Sequence, residues 1–355
     1  MNILVIDDSV LYRRLIAGIL EGFDEIESVI TAPNGDIALK KLAQKRIELV
    51  FCDVHMPGMD GVETLKAIRD AHPEIQVVMI SGISSRNADI TMRALQSGAI
   101  DFIRKPDSDS KEDNRRVLTS DIQAIIRLAR TRIGARVPSA APPVAPEVKR
   151  EQKKVEETTY SVPSSFSVVA IGVSTGGPEA LNKLIPALPA KFPVPIVLVQ
   201  HMPAGFTESL ANSLDRKSSI HVMEAKDGQR LSAGSVYIAP GGRHMTVRNN
   251  EGTTAIGLND GPPENSCRPS VDVLFRSVGA TYRGKGVLAC ILTGMGADGA
   301  SGVRTLKRDG CLCITQKAES CVVYGMPRAV DEAGLSDLSL PLEKIAPEIC
   351  RRLGC

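Results

Sequence analysis

Gly172-Val-Ser174-Thr-Gly176 follows the apolar run Val168-Val-Ala-Ile171 and leads into Gly177-Pro178. The run reads as a buried strand and the glycines as a sharp turn. Pro178 suits the first turn of a helix, where its missing N–H costs nothing. A serine at such a turn presents its hydroxyl at the end of a sheet, near backbone N–H groups that can hold an oxyanion. Nucleophilic acyl transfer is the chemistry this placement allows. Glycine-rich turns of this kind also bind phosphates or merely turn the chain, so the serine needs partners. Histidine is the usual base. His201 ends the apolar run Pro195-Ile-Val-Leu-Val-Gln200, His221 lies inside a predicted strand with a structural or surface role, and His244 in a Pro-Gly-Gly-Arg loop is second choice. The third member is a carboxylate that fixes the imidazole tautomer. Asp298 follows the apolar run Val287–Leu292 and the small turn Gly294-Met-Gly-Ala, although Asp at such a turn commonly caps a helix. Asp260, in a Gly-Pro-Pro loop, and Asp272, inside a helical pattern, are weaker choices. Three strand ends thus offer Ser174, His201 and Asp298.

A second group of reactive residues lies nearer the N-terminus. Asp7 and Asp8 end one apolar run, Asp53 ends another, and Ser81 and Lys105 end two more. Open α/β sheets carry their functional residues at the carboxyl ends of the strands, which brings these side chains to one edge. Gathered acids repel one another unless a cation neutralises them, and an all-oxygen site suits Mg²⁺. Capping by Asp8 or Ser9 is the plainer reading, but it leaves Asp53, the lysine and the serine unexplained.

These side chains require a scaffold of alternating elements. Short strands are predicted at Ile3–Ile6, Ser28–Thr31, Leu49–Cys52, Val77–Ile80 and Phe102–Arg104. Helices are predicted at Val10–Glu21, Gly35–Gln44, Val62–Ala71, Ala88–Gln96 and Thr119–Thr131. The rhythm resumes with strands at Val168–Val173, Ile196–Gln200, Ile220–Glu224, Val236–Ala239 and Val287–Leu292. Helices follow at Pro178–Leu188, Phe206–Arg216, Ser270–Tyr282 and Ala300–Asp309. Such alternation builds parallel sheets covered on both faces. The expected fold is α/β, with two doubly wound parallel-sheet domains, flavodoxin-like at 1–134 and larger and Rossmann-like at 164–355. The second carries a β-rich insert around 220–260. Between them, residues 135–163 are rich in Pro, Ala and mixed charge and read as a flexible linker.

Composition narrows the function classes. The 355 residues carry a net charge of only +2, aromatic residues make up 3%, and Trp is absent. Charge therefore gives no reason to expect nucleic acid, and base-stacking platforms are disfavoured. The eight cysteines at 52, 267, 290, 311, 313, 321, 350 and 355 form no zinc pattern and read as reduced, buried side chains. No apolar run suffices to cross a bilayer and no signal peptide opens the chain, so a soluble cytoplasmic protein without membrane insertion is expected.

Residues 1 to about 128 resemble the receiver domain of two-component signalling, through Asp7-Asp8, Asp53-x-x-Met-Pro-Gly-Met-Asp-Gly61, Ser81 and Phe102-x-x-Lys105-Pro106. The resemblance implies that Asp53 accepts a phosphoryl group from a histidine kinase. It implies Mg²⁺ held by Asp8, Asp53 and the backbone carbonyl of His55, with Asp7 acting through water. It also implies that Lys105 and Ser81 contact the phosphoryl oxygens and that Phe102 is the aromatic switch. From about 165 onward the chain resembles the chemotaxis protein-glutamate methylesterase family. The landmarks are Gly172–Pro178, Gln200-His-Met-Pro203, Ile238–Met245, Arg268–Phe275, Leu292–Gly299 and Val323–Arg328. The chain order Ser, His, Asp departs from that of α/β-hydrolases, so the G-x-S-x-G motif does not import their fold. The resemblance implies Ser174 as nucleophile, His201 as general base and acid, and Asp298 as orienting carboxylate. It implies an oxyanion hole including the Met295 N–H, Thr175 lining the site, and no cofactor for hydrolysis. The expected substrates are glutamate methyl esters, and also glutamines, on the cytoplasmic helices of chemoreceptors. The receiver is expected to dock over the active-site edge until Asp53 is phosphorylated. A serine hydrolase with a different acyl substrate and a non-catalytic response regulator are the alternatives.

Overall fold

The computed structural model describes residues 1–82, 85–106, 110–134, 163–250, 252–283 and 285–355. The predicted linker, apart from Pro163, lies outside the described residues.

The N-terminal unit alternates β1 (Asn2–Ile6), α1 (Val10–Leu20), β2 (Ser28–Ala32), α2 (Gly35–Leu42), β3 (Leu49–Asp53), α3 (Gly61–Ala71), β4 (Gln76–Ser81), α4 (Ser85–Gln96), β5 (Asp101–Arg104) and α5 (Lys111–Gly134). Its sheet is parallel throughout, in the order β2-β1-β3-β4-β5. β3 and β4 are buried along their whole length, as continuous apolar runs between helical layers must be. Ser9 caps α1, Asn34 caps α2, and Asp60 with Glu63 forms a capping box at α3. Capping thus falls to Ser9 and not to Asp8. α5 begins eight residues before its predicted start, because its first turns are polar and show no apolar period.

The C-terminal unit contains β6 (Val168–Val173), α6 (Gly177–Leu184), β7 (Ile196–Gln200), α7 (Phe206–Asp215), β8 (His221–Glu224), β9 (Ser235–Ile238), β10 (His244–Asn250), β11 (Thr253–Asn259), α8 (Val271–Thr281), β12 (Val287–Ile291), α9 (Ala300–Arg308), β13 (Cys311–Gln316), α10 (Met326–Glu332), β14 (Leu338–Leu340) and α11 (Leu342–Leu353). Seven strands form one parallel sheet in the order β14-β13-β12-β6-β7-β9-β8. The expected β-rich stretch at 220–260 is present and divides in two. β8 and β9 extend the main sheet in parallel, and only β10 and β11 form a separate antiparallel pair. Short strands joined by short loops look like hairpins in sequence, whereas the pairing of β9 with β7 is a long-range choice. β13, β14, α10 and α11 were not predicted. β13 pairs with β12, β14 pairs with β13 at the sheet edge, and α11 packs against α6.

The two units touch. α4 packs on α6 and α7, and Gln96 Nε2 donates to Ser213 Oγ. The Phe102 ring stacks on Phe206 with centroids 4.7 Å apart and planes at 20°. No helix among the described residues is long and apolar enough to cross a membrane.

Candidate active site and acidic pocket

β12, β6 and β7 are neighbours in the sheet, so the residues just beyond them converge at one edge. Ser174 lies one residue beyond β6. Its N–H donates to Thr293 O (3.0 Å), and its carbonyl accepts from Gly177 N (2.8 Å) and Gln200 Nε2 (2.9 Å). Gly176 has φ +76°, a conformation that opens α6 without a Cβ penalty. At Gly294 a Cβ would lie 2.7 Å from Ser174 Cβ and 2.5 Å from Met326 Sδ. The turn after β12 can approach the serine only because residue 294 has no side chain.

His201 follows β7, its N–H bonded to Val173 O (3.1 Å), and its Nε2 lies 2.8 Å from Asp298 Oδ2. Asp298 is buried and has four further donors: Ser270 Oγ (2.9 Å), Asn265 Nδ2 (2.8 Å) and the backbone N–H groups of Val271 (2.7 Å) and Asp272 (3.0 Å). The capping alternative for Asp298 is realised in part. Gly299 precedes α9, while the Asp298 carboxylate sits at the N-terminus of α8, where exposed N–H groups and the helix dipole favour an anion. Asp272 returns the arrangement. Its Oδ1 accepts from Gly299 N (3.0 Å) and Gly302 N (2.6 Å) at the start of α9, and its Oδ2 accepts from Asn265 Nδ2 (2.9 Å).

Burial alone would raise the Asp298 pKa, but hydrogen bonds from His201 and the α8 backbone outweigh it and hold the carboxyl down at about 2. Burial alone would lower the His201 pKa. Asp298 on one ring nitrogen and Cys267 near the other outweigh it and push the imidazole up to about 9. Because Nε2 is committed to Asp298, Nδ1 is the nitrogen left to exchange a proton. Cys267 Sγ lies 3.6 Å from that nitrogen. Among the described residues, Ser174 Oγ makes no hydrogen bond. The structure thus joins His201 to Asp298, with no hydrogen bond between the serine hydroxyl and the imidazole.

The other candidates have ordinary duties. His244 is buried, with Nδ1 accepting from Ser270 N (3.2 Å) and Nε2 3.0 Å from Pro262 O, so both ring nitrogens are committed. His221 is exposed at the start of β8, 3.8 Å from Asp215. Asp260 pairs with Arg243 at the surface (2.9 Å). Thr175 and Met295 line a cavity of about 290 Å³ together with His201, Pro203 and Val323. The opposite wall comes from the N-terminal unit and includes Phe102, Arg104, Asp121 and Arg127.

The acidic residues converge at the end of the first sheet. Register pairs Ile6 with Cys52 across β1 and β3, which sets Asp7 beside Asp53. Carboxylate oxygens of Asp7, Asp8 and Asp53 lie within 4.8 Å of one another. Lys105 Nζ sits 2.7 Å from Asp53 Oδ2 and 2.9 Å from Asp7 Oδ2. Asp7 Oδ1 accepts from Ser9 N (2.8 Å), whereas buried Asp7 Oδ2 has the lysine's charge but no well-aligned hydrogen bond. Burial pushes the Asp53 carboxyl up against the opposing pull of Lys105. Burial works against the charged lysine, and Asp53 raises it nonetheless. An all-oxygen cluster with an unsatisfied buried oxygen fits a hard divalent cation. Ser81 ends β4, and its carbonyl accepts from Lys105 N (2.7 Å). Its hydroxyl accepts from Thr91 Oγ1 (2.9 Å) and lies 3.3 Å from Gly82 O.

Residues 169–349 match the family model described as CheB methylesterase, and residues 3–113 match that of the response regulator receiver domain. The chain belongs to the CheB methylesterase family. A similar protein of Desulfotalea psychrophila is 43% identical over 98% of this chain and 97% of its own length. One of Trichodesmium erythraeum is 44% identical over 99% of each. Both are named protein-glutamate methylesterase/protein-glutamine glutaminase. The crystal structure of the Thermotoga maritima CheB methylesterase catalytic domain is 44% identical, covers 53% of this chain and 98% of that one, and has a TM-score of 0.51. This member of the CheB family is accordingly an esterase coupled to a receiver domain.

Several residues that shape its two sites escaped the sequence reading. Gln200 Nε2 reaches the backbone carbonyls of both Ser174 (2.9 Å) and His201 (3.2 Å). Asn265 bridges two carboxylates, and Cys267 adjoins the histidine. Tyr12 lies under Lys105, with the ammonium 4.7 Å from the ring centroid. Gln200 alone had a signal, its position at the last residue of a buried strand.

Proposed function

We propose that this chain hydrolyses γ-glutamyl methyl esters on the cytoplasmic helices of chemoreceptors, and deamidates receptor glutamines, by a Ser174–His201–Asp298 mechanism. The observation that carries this reading is the fivefold-bonded Asp298 carboxylate on His201 Nε2, beside a serine at a strand-to-helix turn. Ser174 Oγ attacks the ester carbonyl as neutral His201 takes its proton through Nδ1, and Asp298 stabilises the resulting imidazolium. Backbone donors, the Met295 N–H among them, receive the oxyanion, a contribution of about 3–4 kcal/mol in comparable sites. The tetrahedral intermediate collapses, and His201 returns the proton to methoxide, which leaves as methanol. Water, deprotonated by His201, then releases the carboxylate from Ser174. Glutamine takes the same route with ammonia as leaving group. Thr175 lines the approach to the serine.

The receiver is assigned the switch. Asp53 accepts a phosphoryl group from a histidine kinase of the pathway, with Lys105, and Ser81 after reorientation, facing its oxygens. Asp8, Asp53 and the His55 carbonyl would hold Mg²⁺, with Asp7 acting through water. The ion would offset charge developing on the transferred group. Phe102, next to the phosphorylation edge, stacks on Phe206 of the esterase unit, and the receiver forms one wall of the cavity onto which His201 opens. This supports an unphosphorylated receiver that screens the site, in a cytoplasmic protein working without membrane insertion or nucleic acid. The test is methanol release from methylated receptor, with and without a phosphodonor. Ser174→Ala should abolish release and leave the circular dichroism unchanged. Full activity in that variant would refute the assignment.

A further inference from the structure

Cys267 has no place in the esterase mechanism, yet its position is closely set. Glu264 and Cys267 pair through both backbone hydrogen bonds (3.1 and 2.9 Å), with Asn265 (φ 54°) and Ser266 (φ 61°) as the two turn residues. A two-residue turn with positive φ at both central positions holds its flanking residues in fixed register. Asn265 ties this turn to Asp298 and Asp272, and Cys267 Sγ is carried to 3.6 Å from His201 Nδ1. In a tetrahedral zinc site, with Zn–S of about 2.3 Å and Zn–N of about 2.0–2.1 Å, sulfur and nitrogen stand about 3.6 Å apart. The thiol and the imidazole already have that spacing. On the other edge of the ring, Asp298 accepts from Nε2, the outer partner that metal-bound histidines commonly have, which leaves the Nδ1 lone pair facing the thiol. Donor atoms of His201, Cys267 and Asp298 lie within 4.8 Å of one another. His201 lines the cavity between the two units, which gives an ion a path to its ring.

We propose that His201 and Cys267 form an inhibitory site for a soft divalent cation, of which zinc is the type, with Asp298 as outer partner. Binding exchanges hydration water for Sγ and Nδ1 and releases the thiol proton to solvent. Two protein donors make a reversible site and not a resident one. A thiolate–imidazole pair also discriminates against Mg²⁺, so the all-oxygen cluster of the receiver and this site take different ions. That the ion inhibits rests on the reading of His201 as base, since it occupies the lone pair that would accept the Ser174 proton. That the ion binds does not rest on it.

The full-length chain is titrated with Co²⁺ and followed by absorption, then with Zn²⁺ during ester hydrolysis. The chain should show a thiolate-to-cobalt charge-transfer band that Zn²⁺ abolishes. Cys355→Ser and Asp53→Asn should keep the band, which Cys267→Ser and Cys267→Ala lose. Loss of an outer partner lowers metal affinity about 10–100-fold. Asp298→Asn should therefore keep the band at correspondingly higher Co²⁺, and the zinc concentration for half-inhibition should rise at least about tenfold in Cys267→Ser. A band that survives in both Cys267 variants, or disappears in Cys355→Ser, would overturn the site. Equal zinc sensitivity of the wild type and Cys267→Ser would overturn it as well. If the esterase mechanism were wrong instead, the cobalt band would persist in Ser174→Ala while that variant retained activity.

Discussion

Removal of the Phe102 ring tests whether the receiver restrains the esterase. Phe102 is partly buried and stacks on Phe206 at 4.7 Å and 20°. Such a pair contributes about 0.5–1.5 kcal/mol beyond the area it covers. Withdrawing roughly half of a phenylalanine side chain from contact adds about 1 kcal/mol. Phe102→Ala should therefore weaken docking by about 1.5–2.5 kcal/mol, which is about 10–70-fold in the equilibrium between closed and open arrangements. The basal rate of methanol release, measured without phosphodonor, should rise by up to that factor and level off at the rate of the fully open enzyme. Gln96→Ala removes a neutral hydrogen bond to Ser213 on the same face and should raise the rate severalfold, for about 0.5–1.5 kcal/mol. Because Phe102 lies on β5, the strand that leads to Lys105, only the rate without phosphodonor is diagnostic. If both variants keep the wild-type basal rate with folding intact, the contact between the two units does not restrain the enzyme.

The structure sets four other outcomes. With His201 held at about 9, the neutral base is scarce at pH 7, so kcat/KM should climb with pH toward that value; Asp298→Asn, which removes the main partner raising the imidazole, should move the midpoint down. The same shift stabilises the fold fully below the ordinary histidine value of 6.5 and is lost as pH rises through about 9, so thermal stability measured by calorimetry should fall across that interval. Asn265→Ala deprives Asp298 and Asp272 of a shared donor; it should lower kcat with little change in KM, with a loss of about 1–3 kcal/mol read from steady-state kinetics. Asp53→Asn should abolish stimulation by a phosphodonor and leave basal methanol release in place, as checked by the ratio of the two rates.

Much of the scaffold was legible because parallel strands buried on both faces must be continuous apolar runs. Val168–Val173 and Ile196–Gln200 were bounded to the residue. The cysteines show where composition stops. Four of them, at 52, 290, 311 and 313, are buried as expected, but Cys267 is only half-buried beside the histidine. Its sequence neighbours carry no apolar period, and a turn built on Asn265-Ser266 lacks the glycine that usually marks one. β14 was missed because three residues at a sheet edge, two half-buried and one exposed, leave too short a pattern.

Ser174, the strand ends that present it, and the acids of the receiver were set by sequence, because local apolar runs fix where each strand stops and which residue comes next. Sequence also carried the family's two-part plan. The tertiary structure decided which partners meet. Asp298 lies at the N-terminus of α8 and not of the helix next after it, Asp272 answers at α9, and His244 is committed to Ser270 and the Pro262 carbonyl. Only the folded chain sets Phe102 on Phe206 and Cys267 beside His201. These contacts join residues dozens of positions apart, and their energies depend on distance and burial, which no local pattern encodes. The turn that carries Ser174 was therefore readable from sequence, while the charge state of His201 and the receiver wall of the cavity it lines belong to the fold.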